Sequence, residues 1–296
     1  MLETQTALTL QALLASHPHT AALRNGEIRS PIVNFEFADV KIANTAFKPL
    51  VRDHKFDLGE LAMVTYLQAK AYGKPYVLMP AVVVARGQHH TIFYNPDRGH
   101  LDPADLNGRR VGVRAYTQTT GTWLRGILEQ DYGVETKRVQ WVTFEDPHLA
   151  EYRDPPWVER APVGKKLLQM LLDGELDAAI FGSENPVGMV TPLIPDAEMA
   201  AQRWAARHGG VPINHMMVVR DSITKSRPDV VREIYRLLRE SERAASTEGN
   251  GGALRFGVEA VRESLETLID YSVRQCLIPR RFEVDELFDD VTRSLG

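Results

Sequence analysis

Cysteine is nearly missing from this chain: among 296 residues only Cys276 is present. No intramolecular disulfide can form, and no cysteine pair is available for a structural zinc site, which points to a reducing compartment. An excess of charge is also missing, since 35 Lys and Arg face 39 Asp and Glu for a net charge of −4. A surface that tracks phosphates is therefore not expected, and nucleic acid is excluded as a partner. No Lys or Arg precedes Arg24, so the basic start of a secretory signal is lacking. The expected location is cytoplasmic. The longest apolar run, Tyr76 to Ala85, is broken by Pro80 and falls far short of the roughly 18–20 residues that cross a bilayer. No membrane partner is expected. Neither Gly (21) nor Pro (17) reaches fibrous or disordered levels. Several motifs are absent as well: the Gly-x-Gly-x-x-Gly dinucleotide fingerprint, the Gly-x-Ser-x-Gly elbow, the Gly-Lys-Ser/Thr phosphate loop and His-Glu-x-x-His. These absences lower the odds of a nicotinamide enzyme, an α/β-hydrolase, an NTPase and a zinc protease, and no metal is expected.

What is present is an alternation of short Val-, Ile- and Phe-rich runs with amphipathic stretches, the pattern of an α/β protein with mostly parallel strands. Strands are expected at Ala7–Leu14, Ile32–Phe37, Tyr76–Ala85, Arg110–Val113, Arg138–Val142, Ala178–Phe181 and His215–Val219. Asp57 and Glu60 in capping-box spacing predict a helix over Leu58–Lys70. Further helices are expected at Thr122–Gln130, stopped by Gly133, and at Gly164–Leu172. Ser226-Arg-Pro-Asp opens a long helix to about Ala245, followed by the connector Thr247–Gly252 and helical patterns at Val258–Leu268 and Val284–Leu295. Two punctuated stretches, Asn95 to Arg109 and His208 to Asn214, read as crossovers. They predict residues 1–107 and 214–296 as lobe I and 108–213 as an inserted lobe II, with a ligand cleft between them.

The richest segment is Arg110-Val-Gly-Val-Arg-Ala-Tyr-Thr-Gln-Thr-Thr-Gly-Thr-Trp-Leu-Arg125, a strand, a polar loop and a helix start. Free N–H groups at a helix N-terminus, beside Thr117, Gln118, Thr119, Thr120 and Gly121, suit a carboxylate or phosphate; the competing reading is that Thr119 or Thr120 only caps the helix. Arg114 on the same segment is a candidate carboxylate holder. Arg86-Gly-Gln-His-His90 leaves the most apolar strand at the end where α/β folds place ligands. Arg86 is a candidate for forking onto a carboxylate, with a surface ion pair as its alternative. His89 is a candidate for moving a proton, with His90 expected on the opposite face of an extended strand. Asn214 and His215 stand at the return crossover. Glu60 is a candidate general acid whose capping role is the simpler explanation. His17, His19, His148 and Glu151 are weaker candidates, supported by loop position alone.

The runs Phe56-Asp-Leu-Gly-Glu-Leu-Ala, Arg110 to Gly121, Gly174-Glu-Leu-Asp-Ala-Ala-Ile and Pro212-Ile-Asn-His resemble the 4,5-dihydroxyphthalate decarboxylase family, over roughly Phe35 to Leu238. The resemblance implies a bilobal α/β fold like the type II periplasmic binding proteins, with two crossovers and a central cleft. It also implies a carboxy-lyase that converts 4,5-dihydroxyphthalate to protocatechuate and carbon dioxide. Such chemistry needs a base near the phenols, an acid near the ring carbon and donors for the carboxylate that stays, roles for which His89, His215 and Glu60 on one side and Arg86, Arg114, Asn214 and Thr117–Gly121 on the other are candidates. No cofactor is expected, because the dihydroxylated ring is its own electron sink. The alternative is a solute-binding protein that captures an aromatic or dicarboxylic acid unchanged. The expected partner is a small aromatic dicarboxylate, and the chain is left open between a monomer and a homo-oligomer.

Overall fold

The computed structural model describes residues 7–182, 186, 188–247 and 254–296. Most of the expected connector Thr247–Gly252 lies outside the described residues. The chain divides into two compact units: residues 1–85, 213–266 and 282–296, and residues 86–212 with 267–281.

The first unit is built on five strands, β1 (Leu8–Leu13), β2 (Val33–Phe37), β3 (Leu58–Ala62), β4 (Tyr76–Ala85) and β11 (Ile213–Arg220), in the order β2-β1-β3-β11-β4. β1 runs parallel to β2 and β3, and β11 is antiparallel to both of its neighbours. Alternate residues Leu10, Ala12 and Leu14, Met79, Ala81 and Val83, and Met217 and Val219 form one buried face. The Pro228–Thr247 helix covers it with Val230, Val231, Ile234, Leu237 and Leu238, a stripe at helical spacing. Pro80 is tolerated inside β4 because the pairing with β11 shifts register there, Met216 facing Val82 and Val218 facing Leu78.

The second unit carries six strands, here β5 (Ile92–Tyr94), β6 (Arg110–Val113), β7 (Gln140–Thr143), β8 (Val158–Arg160), β9 (Ala178–Ile180) and β10 (Thr191–Pro192), in the order β10-β5-β9-β6-β7-β8. β6 is parallel to β7 and β9. The Thr119–Tyr132 helix follows β6 and ends at Gly133, whose φ of 67° is the left-handed stop its sequence position announces.

Three expectations change. The predicted helix over Leu58–Lys70 is a strand to Ala62 and a helix only from Met63 to Ala71. Gly59 lies so close to β1 that a Cβ there would sit 2.9 Å from Leu13 Cβ and Leu50 Cδ1, an approach only glycine allows. The predicted helix over Val284–Leu295 is a 3-10 turn at Val284–Leu287 and a single turn at Asp290–Arg293. The compact units also part at Ala85/Arg86 rather than near residue 107, because β5 pairs with β9 and β10; residues 267–281 join the second unit as well. β6 and β11 lie in separate sheets. Among the described residues no helix is long and apolar enough to cross a membrane.

Candidate active site

In the first unit the chain brings three titratable side chains together where β1 ends beside β3. Glu60 sits at the centre of β3 with 1% of its surface exposed. Its Oε2 accepts from the backbone N–H of Ala15 at 3.2 Å and lies 2.8 Å from His17 Nε2, while Oε1 lies 3.3 Å from His215 Nδ1. Burial by itself would raise the Glu60 carboxyl, but the hydrogen bonds and charges of His17 and His215 outweigh it and hold the group down at about 2, an anion at any physiological pH. The capping explanation for Glu60 fails, because it is in a strand and Asp57 instead accepts from the Gln11 backbone N–H at 2.8 Å.

The placement of each partner follows from local sequence. Pro18 opens a 3-10 turn directly after β1, and Thr20 Oγ1 closes it by accepting from the His17 N–H and donating to the Ala15 carbonyl, each at 2.9 Å. His215 is on β11 across from Ala62, next to the Met217–Glu60 pair. Phe47 meets its ring edge-on at 5.3 Å. His17 stacks flat on His19 at 5.1 Å. His19 is driven down to about 4, first by burial and then by the neighbouring His17, and its Nε2 is buried without a partner. His17, among the weaker sequence candidates, is thus a direct ligand of Glu60; its signal was a histidine in the loop after the first strand, on the ligand-bearing end of the sheet.

His89 is not part of this cluster. It lies in the second unit on a 3-10 turn, His89–Thr91, rather than an extended strand, so strand alternation does not govern it. It is 1% exposed, both ring nitrogens are buried without a partner, and burial pulls it down to about 4. His90 is the exposed member of the pair. Burial thus holds the His89 imidazole neutral.

Of the remaining candidates, Arg86 and Thr117–Gly121 lie in the second unit, near the ends of β6 and β9. Arg86 donates from Nη2 to the Gly182 carbonyl at 2.7 Å, and its Nε is buried without a partner. Gln118 reaches the same glycine: a Cβ on Gly182 would lie 2.8 Å from its Nε2, and its Oε1 is buried and unsatisfied. Gln118, not Thr119 or Thr120, is the N-cap of the helix, and its side chain caps nothing. Thr117, Thr119 and Thr120 are buried around this turn. Arg114 is instead held by Glu145 at 3.0 Å. Asn214 is buried on β11 beside His215. His148 and Glu151 lie in the second unit. Among the described residues no group of three or more His, Cys, Asp or Glu side chains is placed to hold a metal ion.

The chain is 32% identical over 211 residues to a 4,5-dihydroxyphthalate decarboxylase of Comamonas testosteroni, a match covering 66% of this chain and 63% of that protein. It is 31% identical over 212 residues to a 4,5-dihydroxyphthalate decarboxylase of Pseudomonas putida, covering 67% of this chain and 81% of that protein. The match thus spans less than two thirds of the length of the Comamonas protein. Among solved structures, the alkanesulfonate-binding protein of Xanthomonas axonopodis pv. citri superimposes with a TM-score of 0.59 at 13% identity, over 96% of this chain and 98% of that one. That likeness shows a shared fold, the one that the family resemblance implies. No family model matches the chain.

Proposed function

The chain belongs to the 4,5-dihydroxyphthalate decarboxylase family, and from that premise we propose that it is a carboxy-lyase converting 4,5-dihydroxyphthalate to protocatechuate and carbon dioxide. The observation that carries the reading is the buried Glu60 carboxylate shared by His17 and His215. One carboxylate between two imidazoles balances a single positive charge, so the cluster can hold an acid and a base side by side. Because Glu60 engages His17 Nε2 and His215 Nδ1, their other nitrogens, Nδ1 and Nε2, are the ones left to face a substrate.

Each phenol of the substrate is para to one carboxylate. Loss of the phenol proton to one imidazole pushes ring electrons onto the carbon that bears the departing carboxylate. The second imidazole protonates that carbon. The carbon–carboxylate bond then breaks, its electron pair restores the aromatic ring, and carbon dioxide leaves. Within the second unit, Thr117–Gly121 and Arg86 suit an anion, since a helix N-terminus and a guanidinium favour negative charge. Supporting that reading, the Arg86 Nε donor is buried and unsatisfied. The single cysteine supports a cytoplasmic location.

The test is incubation of the purified protein with 4,5-dihydroxyphthalate while carbon dioxide and protocatechuate are measured. Equimolar release of both is expected, and phthalate, which lacks the phenols, should not turn over. Tight binding of the dihydroxylated acid with no carbon dioxide would overturn the enzyme reading in favour of a solute binder.

A further inference from the structure

Arg125 stands on the Thr119–Tyr132 helix, and its side chain folds back toward the helix N-terminus. A Cβ on Gly121 would lie 3.0 Å from Nη1, and Nη2 donates to the Tyr116 carbonyl, just before the helix, at 2.6 Å. The guanidinium is fully buried. Nε donates to Gln275 Oε1 at 2.7 Å, Nη2 also reaches Thr122 Oγ1 at 3.2 Å, and the rings of Tyr116 and Trp141 lie 4.0 and 5.2 Å from the guanidinium carbon. Every one of these partners is neutral. Nη1 has no partner at all.

A buried cation is ordinarily matched by a carboxylate. Here no acid among the described residues pairs with it. Of the acids that influence it through space, Glu129 is taken by Thr136 and by Arg274 at 3.6 Å, and the buried Asp154 Oδ1 forms no hydrogen bond with it. The N-terminus beside it carries roughly half a positive charge of its own. Two positive centres are therefore packed together without a carboxylate in contact, and Gly121 supplies the space that makes the approach possible.

We propose that Arg125 is a positioning residue for a bound carboxylate: it holds Tyr116 and the first turn of the helix in place and adds its charge to that turn, so that the anion is the missing counter-charge. The inference rests on the reading of the substrate as an aromatic dicarboxylate and extends it to a residue that touches no ligand. The aromatic stacking and the neutral partners fix the guanidinium without neutralising it, so its field reaches the Thr117–Gly121 turn.

Calorimetry with two probes tests this, phthalate as the dianion and catechol as its uncharged counterpart. In R125M the affinity for phthalate should fall about ten- to thirtyfold, the size expected of one unit charge acting across a poorly hydrated turn, while that for catechol changes less than twofold. R125K should restore phthalate binding to within about threefold of the wild type, although it cannot remake the forked hydrogen bonds. In turnover R125M should raise KM more than it lowers kcat. Retention of phthalate affinity in R125M, or equal losses for both probes, would overturn the proposal and leave Arg125 a structural tie. If R125M fails to fold, R125K decides alone: a preserved phthalate-to-catechol ratio supports the charge role, and a collapsed ratio refutes it. The two readings fail separately. Charge-dependent phthalate binding without carbon dioxide release refutes the decarboxylase and keeps Arg125, whereas turnover that ignores the charge at residue 125 does the reverse.

Discussion

Glu60→Gln keeps the shape of the side chain and removes its charge. In the wild type the carboxyl is held at about 2 against an ordinary 4.5. Each unit of pKa corresponds to about 1.4 kcal/mol, so the anion stabilises the folded chain by about 3 kcal/mol at neutral pH. A depressed carboxyl contributes this stability above the unfolded pKa, and the contribution is lost as the pH falls from about 4.5 through about 2. Urea unfolding of both proteins at pH 7 and pH 3 should therefore show E60Q less stable by about 3 kcal/mol at pH 7, with about 2 kcal/mol of that gap gone at pH 3. E60Q also leaves one acceptor oxygen where two served and turns the other position into a donor, which forces at least one imidazole to present an acceptor nitrogen, so decarboxylation should slow by about 10²–10⁴-fold. A stability gap of the same size at both pH values would refute the reasoning, because it would mean that Glu60 contributes packing rather than a paired charge.

His17→Gln and His215→Gln should each lower kcat by about 10²–10⁴-fold with smaller changes in KM, whereas His89→Gln should leave kcat within about threefold; steady-state kinetics of the three variants separate these outcomes. His19 is held neutral down to about 4, so the unfolded chain takes up a proton there below 6.5 while the folded chain does not, and stability falls as the pH drops from 6.5 toward 4. His19→Leu should flatten that part of the stability–pH profile measured by urea titration, and an unchanged slope would contradict the assignment. Gly126→Ala should destabilise the second unit by about 2 kcal/mol or more, because a Cβ there would lie 2.1 Å from the Tyr271 ring; thermal unfolding at or above the wild-type temperature would show that the ring has room to move.

The amino-acid sequence by itself determined the elements whose signals are local. Alternating apolar residues set β1 and β2, short apolar runs set β4 and β11, Gly133 ended the helix after β6 by its freedom at positive φ, and Pro228 began the long helix with its fixed φ. Glu60 and His215 were legible as candidates, and so was the polar turn Thr117–Gly121, because short polar residues between a strand and a helix have few other uses. Only the tertiary structure decided the rest. Leu58–Ala62 fits a helix or a strand by composition, and its state was settled by backbone partners on β1 and on β11, the latter some 155 positions away for the Glu60–His215 pair. That choice turned Glu60 from a cap into the shared partner of two imidazoles. His89 went the other way, from a cleft candidate to a sealed core residue, because a 3-10 turn replaced the extended strand. Arg125 had no sequence signal, since an arginine on a helix is ordinarily solvated; only folding shows it buried without an acid. Local chemistry sets what a segment can form, and contacts between residues far apart in the chain decide which side chains meet.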